Sequence, residues 1–497
     1  MQIGSLISRA ALQFGHAPCL SEGDRSVSFI EFDAATNQLG NALLTSGLEP
    51  GDRVGVLLPN SIECLITYYA LAKCGLVRVG LNTRETIDDH RYKLLETGCR
   101  AVIHDTSQSL EEDVEYVFDL ATLIAMIAEG NRSPCAIERE LDSPFRLGFT
   151  GGTTGTPKAV ALTPRGELSE LSAFLTDLVP DLRIGDKFLH AAPIAHASGA
   201  FFLPALCRGA HSVIMPKFDA VEFIRLAEET RANLTFLVPT MLAVILEVPG
   251  CDEANLNFRR IAYGASPIAQ KLLERAETRF GRVFAQCYGQ AESPMVITCL
   301  KPEDHDRYGS CGRPFVIADV AVLDDLDQPL PAGEIGEICV RGPQLMARYW
   351  NKPEATAKVM RNGWLHTGDI GRMDDDGFFF LLDRKNDMLI SGGYNVYPRE
   401  VEDVLMSCSG VIEAAVVGLP DEKWGDRVHA VVAGHNNLQP ETVKAWAVKH
   451  LADYKRPKIV EIWPELPKSA ANKILRRKIR DIISHREKNN DLGVLER

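Results

Sequence analysis

Apolar and polar residues alternate along the first third of the chain in two rhythms. VGVLLP at 54–59, VRVGLN at 77–82 and AVIHD at 101–105 are short apolar runs of strand length, whereas SIECLITYYALAKCG at 61–75 spreads its apolar residues at helical spacing. Strands that alternate with helices predict βαβ units and a mostly parallel sheet. The middle of the chain repeats the theme with FLHAAPI at 188–194, SVIMP at 212–216, amphipathic AVEFIRLAEETRA at 220–232, LTFLVPT at 234–240 and RRIAYGAS at 259–266. Each strand-like run ends in small or polar residues, and ligands gather at such strand ends in open α/β sheets.

After about residue 310 the texture changes to shorter strand-like segments with turn signals, as in DDLDQPLPAGEIGEICVRG, which predicts an antiparallel, β-rich subdomain. A further break falls near LLDRKNDM at 381–388. Beyond it come a helix candidate at PREVEDVLMSC, a strand at AAVVGLP, a helix at ETVKAWAVKHLA, a basic helix at NKILRRKIRDIISHRE and a loose tail, NNDLGVLER. The expected fold is therefore α/β: a large N-terminal domain of layered α/β subdomains plus a β-rich subdomain over 1–384, and a small α+β domain over 385–497. No internal repeat or low-complexity tract interrupts it.

A length of 497 residues fits roughly three structural units, and 45% apolar with 24% charged residues is the balance of a globular chain with a large core. A formal charge of −13 argues against general attraction to nucleic acid or anionic membrane. The longest apolar stretch, 234–246, holds two threonines and a proline and falls short of the roughly 18 residues a membrane span needs. The N-terminus lacks a basic segment followed by an apolar one, so no secretory leader is read there. Twelve cysteines without a CxxC pair predict buried free thiols in a reducing cytoplasm, not a disulfide or zinc framework.

The sharpest local signal is Thr150-Gly151-Gly152-Thr153-Thr154-Gly155-Thr156-Pro157-Lys158, directly after apolar LGF. Glycines let backbone N–H groups crowd an anion, threonine hydroxyls add donors and the lysine adds charge, which makes this a phosphate cradle by composition. It is not a Walker A loop, because Thr156 and Pro157 separate Gly155 from the lysine. A flexible Gly/Thr hairpin is the plainer reading of the segment taken alone.

Further motifs follow in order: Tyr288-Gly289-Gln290-Ala291-Glu292, Gly363-Trp-Leu-His-Thr-Gly-Asp369, Asp383-Arg384, Ser391-Gly392-Gly393-Tyr-Asn-Val-Tyr-Pro and Pro467-Lys-Ser-Ala-Ala-Asn-Lys473. With the glycine-rich loop they make the chain resemble, over essentially its whole length, the adenylate-forming superfamily of acyl-CoA synthetases, adenylation domains and luciferases. The resemblance implies a carboxylic acid, ATP, Mg²⁺ and coenzyme A as reactants and cofactors. It places the β- and γ-phosphates of ATP on Thr150 to Lys158 and the adenine edge on Gly264, Ala265 and Ser266. Tyr288, Gly289 and Gln290 fall beside the ring, Mg²⁺ falls on Glu292 with Thr150, and the ribose falls on Asp369 and Arg384. The chemistry agrees, since a carboxylate supplies hard oxygen for Mg²⁺ and two acceptor atoms for ribose hydroxyls.

The resemblance also implies that Lys473 is the chief catalyst, an amine between two anions, carried on a mobile C-terminal lid that turns near Asn386 and brings Gly392 and Gly393 to line a thiol tunnel. Residues 452–480 carry nine Lys/Arg against three Asp/Glu, which suits a polyphosphate partner better than nucleic acid because aromatic residues do not interleave. His196, in Pro193-Ile-Ala-His-Ala-Ser-Gly199, borders the acyl pocket as a gate, a substrate contact or a packed structural histidine. Apolar Phe201, Phe236, Val238, Met241 and Met295 are pocket candidates. Four positions depart from the family pattern: Gly151 and Ala291 each lack a usual hydroxyl, Asn472 replaces a glycine, and Asn386 stands at the hinge where aspartate or lysine is usual.

The leading expectation is an AMP-forming acid–thiol ligase that makes an acyl-CoA. An acyl-AMP ligase loading a carrier-protein pantetheine and a catalytically silent nucleotide-binding protein stand beside it. The sequence leaves open which acid is used, aromatic, alicyclic or medium-chain, and whether the chain is a homodimer.

Overall fold

The computed structural model describes residues 2–106, 110, 112–150, 156–385, 387–435, 437–468 and 474–494. Lys473, Asn386 and Gly151, Gly152, Thr153, Thr154 and Gly155 of the glycine-rich loop lie outside the described residues. The chain divides into two compact units, one from residues 1–150, 158–320 and 340–365, the other from the remainder.

The first unit holds two largely parallel sheets. In one, Arg53–Leu57 pairs in parallel with Val77–Gly80 and Ala101–His104, and Val77–Gly80 with Arg146–Phe149. Arg146–Phe149 then turns back antiparallel on Ala159–Leu162, whose far edge takes Arg348–Tyr349. In the other sheet Lys187–His190, Leu234–Leu237, Arg260–Gly264 and Phe284–Gln290 run parallel in that order. This parallel run gives way to antiparallel pairing at the hairpin of Phe284–Gln290 and Ser293–Leu300, earlier than the texture change at 310 suggests. Ala101–His104, Ala159–Leu162 and Leu234–Leu237 are buried at every position, which is why they read as unbroken apolar runs: both faces are covered.

Local chemistry sets the helix boundaries. Ser61 caps Ile62–Lys73 by accepting from Cys64 N, and Thr86 with Asp89 forms a capping box for Ile87–Thr97. The apolar run 234–246 is not one element. Pro239 lacks the N–H a strand ladder needs and suits the first turn of a helix, so the strand stops at Leu237 and a helix occupies Pro239–Leu246.

In the second unit, Val411–Asp421 and Gly425–Gly434 form a long antiparallel pair, joined by Leu389–Ser391 and, in parallel, Ile459–Ile462. Side chains alternate across this sheet with period two. Ala414, Val416, Ala430 and Val432 pack with Val401 and Leu405 of Pro398–Met406 and Val443 and Ala447 of Pro440–His450. Ala415, Val417, Val431 and Ala433 pack with Ile479 and Ile483 of Arg476–Val494. That last helix runs to Val494, through most of the segment read from sequence as a loose tail. No helix among the described residues is long and apolar enough to cross a membrane. All twelve cysteines are thiols outside any disulfide, and only Cys207 is not buried.

Candidate active site

Two antiparallel strands, Arg146–Phe149 and Ala159–Leu162, flank the glycine-rich segment. Phe149 pairs with Ala159 across it, Thr150 N donates to Lys158 O at 3.1 Å, and Lys158 N donates to Thr150 Oγ1 at 3.1 Å. Ala159–Leu162, the strand that follows Lys158, also pairs with Arg348–Tyr349. That added edge strand brings in a residue for which the sequence gives no signal. The Tyr349 hydroxyl donates to Glu292 Oε1 at 2.5 Å, and Lys158 Nζ lies 5.1 Å from the centre of the same ring. The fold thus gathers Lys158 and Glu292 around one tyrosine. Glu292 is buried, and its own carbonyl accepts from Met346 N at 2.8 Å, so its backbone is pinned as well. Its remaining oxygen is a hard donor of the kind Mg²⁺ prefers, and the Thr150 hydroxyl is another.

Tyr288, Gly289 and Gln290 sit where the hairpin register shifts: Tyr288 faces Thr298 and Gln290 faces Ser293. Bulges of this kind re-aim side chains beside sites. Gly289 is required here, because a Cβ would lie 2.4 Å from Met295 N. Gly289→Ala should therefore lower stability by about 1–3 kcal/mol, read as a fall in urea midpoint at unchanged slope, and weaken ATP binding in parallel. Met295 at φ 56, near the start of Ser293–Leu300, and Ala265 at φ 67, just past the carboxyl end of Arg260–Gly264, are both left-handed without being glycine. Gly264 ends Arg260–Gly264 opposite Cys287, with Ala265 and Ser266 following. Ala291 offers no hydroxyl, and Ser293 does not replace it, since its Oγ is committed to Val296 O at 2.9 Å.

His196 is exposed, and its Nε2 lies 2.9 Å from Asn82 Nδ2. Six residues upstream, buried His190 contacts Ser198 Oγ at 3.0 Å and Ser212 Oγ at 3.1 Å, and burial holds its pKa down at about 3, so it is neutral. Of the pocket candidates, Phe201 and Phe236 are closed in the core against each other and Phe174 and Phe188, whereas Val238 and Met295 are partly exposed at its edge.

In the second unit Asp369 and Arg384 are register partners, with Arg384 Nε 2.8 Å from Asp369 Oδ1. The sequence-predicted ribose pair is thus brought together. The strand that carries Asp369 also meets a buried cluster the spacing did not reveal, which bonds its neighbour Gly368. Glu337 and Cys339 share a strand face opposite His366; Cys339 Sγ and Glu337 Oε2 are each 3.3 Å from His366 Nδ1. Glu337 also accepts from Gly368 N at 2.9 Å and lies 3.4 Å from Lys385 Nζ, so its charge is already neutralised. Gly392 and Gly393, at φ 60 and 83, form the tight turn between Leu389–Ser391 and Tyr394–Val396, where both positions need left-handed backbone.

The segment carrying Lys473 is pinned at both feet. Lys468 and Ile474 form an antiparallel bridge, and Leu475 N donates to Pro467 O at 2.9 Å. Arg476 then binds Asp383 at 2.8 Å, Asp387 at 2.9 Å and both oxygens of Glu402. Burial raises the pKa of Glu402 in spite of that guanidinium.

The AMP-binding enzyme profile matches residues 7–350, and the AMP-binding enzyme C-terminal domain profile matches residues 400–473. A medium/long-chain fatty acid–CoA ligase of Mycobacterium tuberculosis is 38% identical over 459 residues, covering 87% of this chain and 80% of that protein. A feruloyl-CoA synthase of an Amycolatopsis species is 35% identical over 490 residues, covering 96% and 98%. The structure of o-succinylbenzoate CoA synthetase from Bacillus subtilis, in complex with an acyl-adenylate intermediate, superposes with a TM-score of 0.87 at 30% identity, covering 96% of this chain and 97% of that one.

Proposed function

The chain belongs to the AMP-binding enzyme family, and on that premise we propose that it is an AMP-forming acid–thiol ligase that converts a carboxylic acid to its coenzyme A thioester. In the first half-reaction a carboxylate oxygen attacks the α-phosphorus of ATP, the bond to the β-phosphate oxygen breaks, and pyrophosphate leaves. In the second, the thiolate of coenzyme A attacks the acyl carbonyl and AMP leaves with the electron pair of the mixed anhydride. Mg²⁺, bound, would offset part of the triphosphate's charge, and Glu292 with Thr150 are the residues suited to hold it.

The rest is the work of this chain's own groups. The glycine-rich segment from Thr150 to Lys158 receives the phosphates. Tyr288 and the Gly264-Ala265-Ser266 turn flank the base, and Asp369 accepts from ribose hydroxyls with Arg384 beside it. Residues 385–497 act as a lid that delivers Lys473 for the first step and the Gly392-Gly393 turn for the second. The observation that carries this reading is Tyr349, which binds Glu292 through its hydroxyl and Lys158 through its ring: metal-ligating carboxylate and phosphate-binding ammonium are set around one side chain.

Val238, Ala291 and Met295, partly exposed at the edge of the core, are apolar, which supports a monocarboxylic acid with an apolar body, such as a medium-chain, aromatic or alicyclic acid. A pyrophosphate-release screen with coenzyme A over octanoate, dodecanoate, ferulate and 2-succinylbenzoate tests the reading. Acid-dependent release with formation of the matching acyl-CoA is expected; release only in the presence of a holo-carrier protein would reassign the acceptor, and no acid-dependent ATP–pyrophosphate exchange with any of them would refute adenylation.

A further inference from the structure

Two asparagines, each just past the carboxyl end of a parallel strand in one sheet, hold the segment that follows a strand of the other. Asn60, after Arg53–Leu57, is buried; its Nδ2 donates to Ala192 O at 3.0 Å and Met215 O at 3.1 Å, and its Oδ1 accepts from Ile194 N at 2.7 Å. It fixes the backbone that leads to His196. Asn82, after Val77–Gly80, reaches the imidazole itself.

The two ends of the Asn82 amide are distinguishable. Arg84 N donates to Asn82 Oδ1 at 3.0 Å, so that atom is the oxygen and the group 2.9 Å from His196 Nε2 is the NH₂. An NH₂ can only donate. His196 Nε2 must therefore accept, and the ring proton sits on Nδ1 of a neutral imidazole. Asn82 is itself immobilised, because its carbonyl lies 2.9 Å from His90 Nε2 and accepts from Glu85 N at 3.0 Å, while its own N donates to Glu85 Oε2 at 3.3 Å. Glu85 is in turn paired with buried Lys93. The tether on His196 is thus a loop braced on three sides, not a single swinging side chain.

Neutrality matters for a carboxylate that must act as a nucleophile. An imidazolium would form a charge-assisted bond to that carboxylate, strongest in the ground state and weakened as the oxygen gives its electrons to phosphorus, which raises the barrier. A neutral N–H orients the same oxygen with less quenching. We propose that Asn82 is a positioning residue for adenylation: it holds His196 as the neutral, Nδ1-protonated imidazole that orients the acid. This rests on the adenylation reading above and adds to it a residue distant in sequence from every motif.

The test uses the full chain with ATP–pyrophosphate exchange driven by octanoate and by ferulate, and nitrogen shifts of ¹⁵N-histidine protein with His196 assigned through the His196→Gln variant. Wild type should show Nδ1–H at His196. Asn82→Ala should lower exchange roughly ten- to a hundredfold with the KM for ATP unchanged. The double variant Asn82→Ala/His196→Ala should be no slower than His196→Ala alone. Asn82→Asp is the decisive variant: it keeps a partner at the same place but accepts, reversing the tautomer to Nε2–H, and should be as slow as Asn82→Ala. An Nε2–H ring in the wild type, wild-type exchange by Asn82→Asp, unchanged exchange by His196→Ala, or additive losses in the double variant would each overturn the proposal. Absence of exchange by the wild type with any acid would instead bring down adenylation, and the ring's proton position would still decide whether Asn82 sets the tautomer.

Discussion

Lys473→Ala is expected to slow acid-dependent ATP–pyrophosphate exchange by about a thousandfold, while thiolysis of a supplied acyl adenylate by coenzyme A stays within a few-fold of wild type. Bringing a carboxylate to a triphosphate sets two anions against each other, and an ammonium placed between them is most valuable as charge builds on the leaving pyrophosphate. The neighbours explain why the loss should be chemical and not structural. The Lys468–Ile474 bridge, the Leu475 N to Pro467 O bond and the four-contact anchorage of Arg476 are all made without the Lys473 side chain. Thermal melting should therefore coincide with wild type. Lys473→Arg keeps the charge but spreads it over a planar fork, and should recover only part of the rate. A matching loss in both half-reactions would show that the amine is not confined to the first, and the lid's division of labour would have to be abandoned.

How much of this was legible beforehand follows from how far each interaction reaches along the chain. The parallel strands at Arg53–Leu57 and Ala101–His104 and the helix Ile62–Lys73 show in the sequence because burial on every side writes a local apolar run, short for the strands and long for the helix. The bonds that flank the glycine-rich segment are likewise local, joining Thr150 and Lys158 eight positions apart. Tyr349 to Glu292 spans 57 positions and Asn82 to His196 spans 114, and no periodicity records such pairs. Each looks like an ordinary strand tyrosine or loop asparagine until sheet order is known. The run 234–246 shows a different limit: its apolar character marks it as core, but the end of the strand at Leu237 and the start of a helix at Pro239 are set by one proline. The Glu337, Cys339 and His366 cluster was hidden because its ligand-like spacing exists only across two strands.

Long-range contacts are also where function and fold can be separated by experiment, and Glu292 is the clearest case. Glu292→Gln retains an oxygen that can still accept from the Tyr349 hydroxyl, and the backbone bond to Met346 N is untouched, so the hairpin should keep its shape and the melting temperature should hold. What disappears is the negative charge. A neutral amide oxygen is a poorer donor to Mg²⁺ than a carboxylate, so kcat/KM for MgATP should fall roughly a hundred- to a thousandfold, and the Mg²⁺ concentration giving half-maximal ATP binding by calorimetry should rise at least tenfold. Tyr349→Phe gives the complementary result: the charge stays but the hydroxyl that orients it is gone, and a smaller loss, about tenfold, is expected with Mg²⁺ dependence nearly unchanged. If Glu292→Gln and wild type require the same Mg²⁺ concentration, the carboxylate does not touch the metal, and its bond to Tyr349 is only a brace between the turn of that hairpin and the strand Arg348–Tyr349.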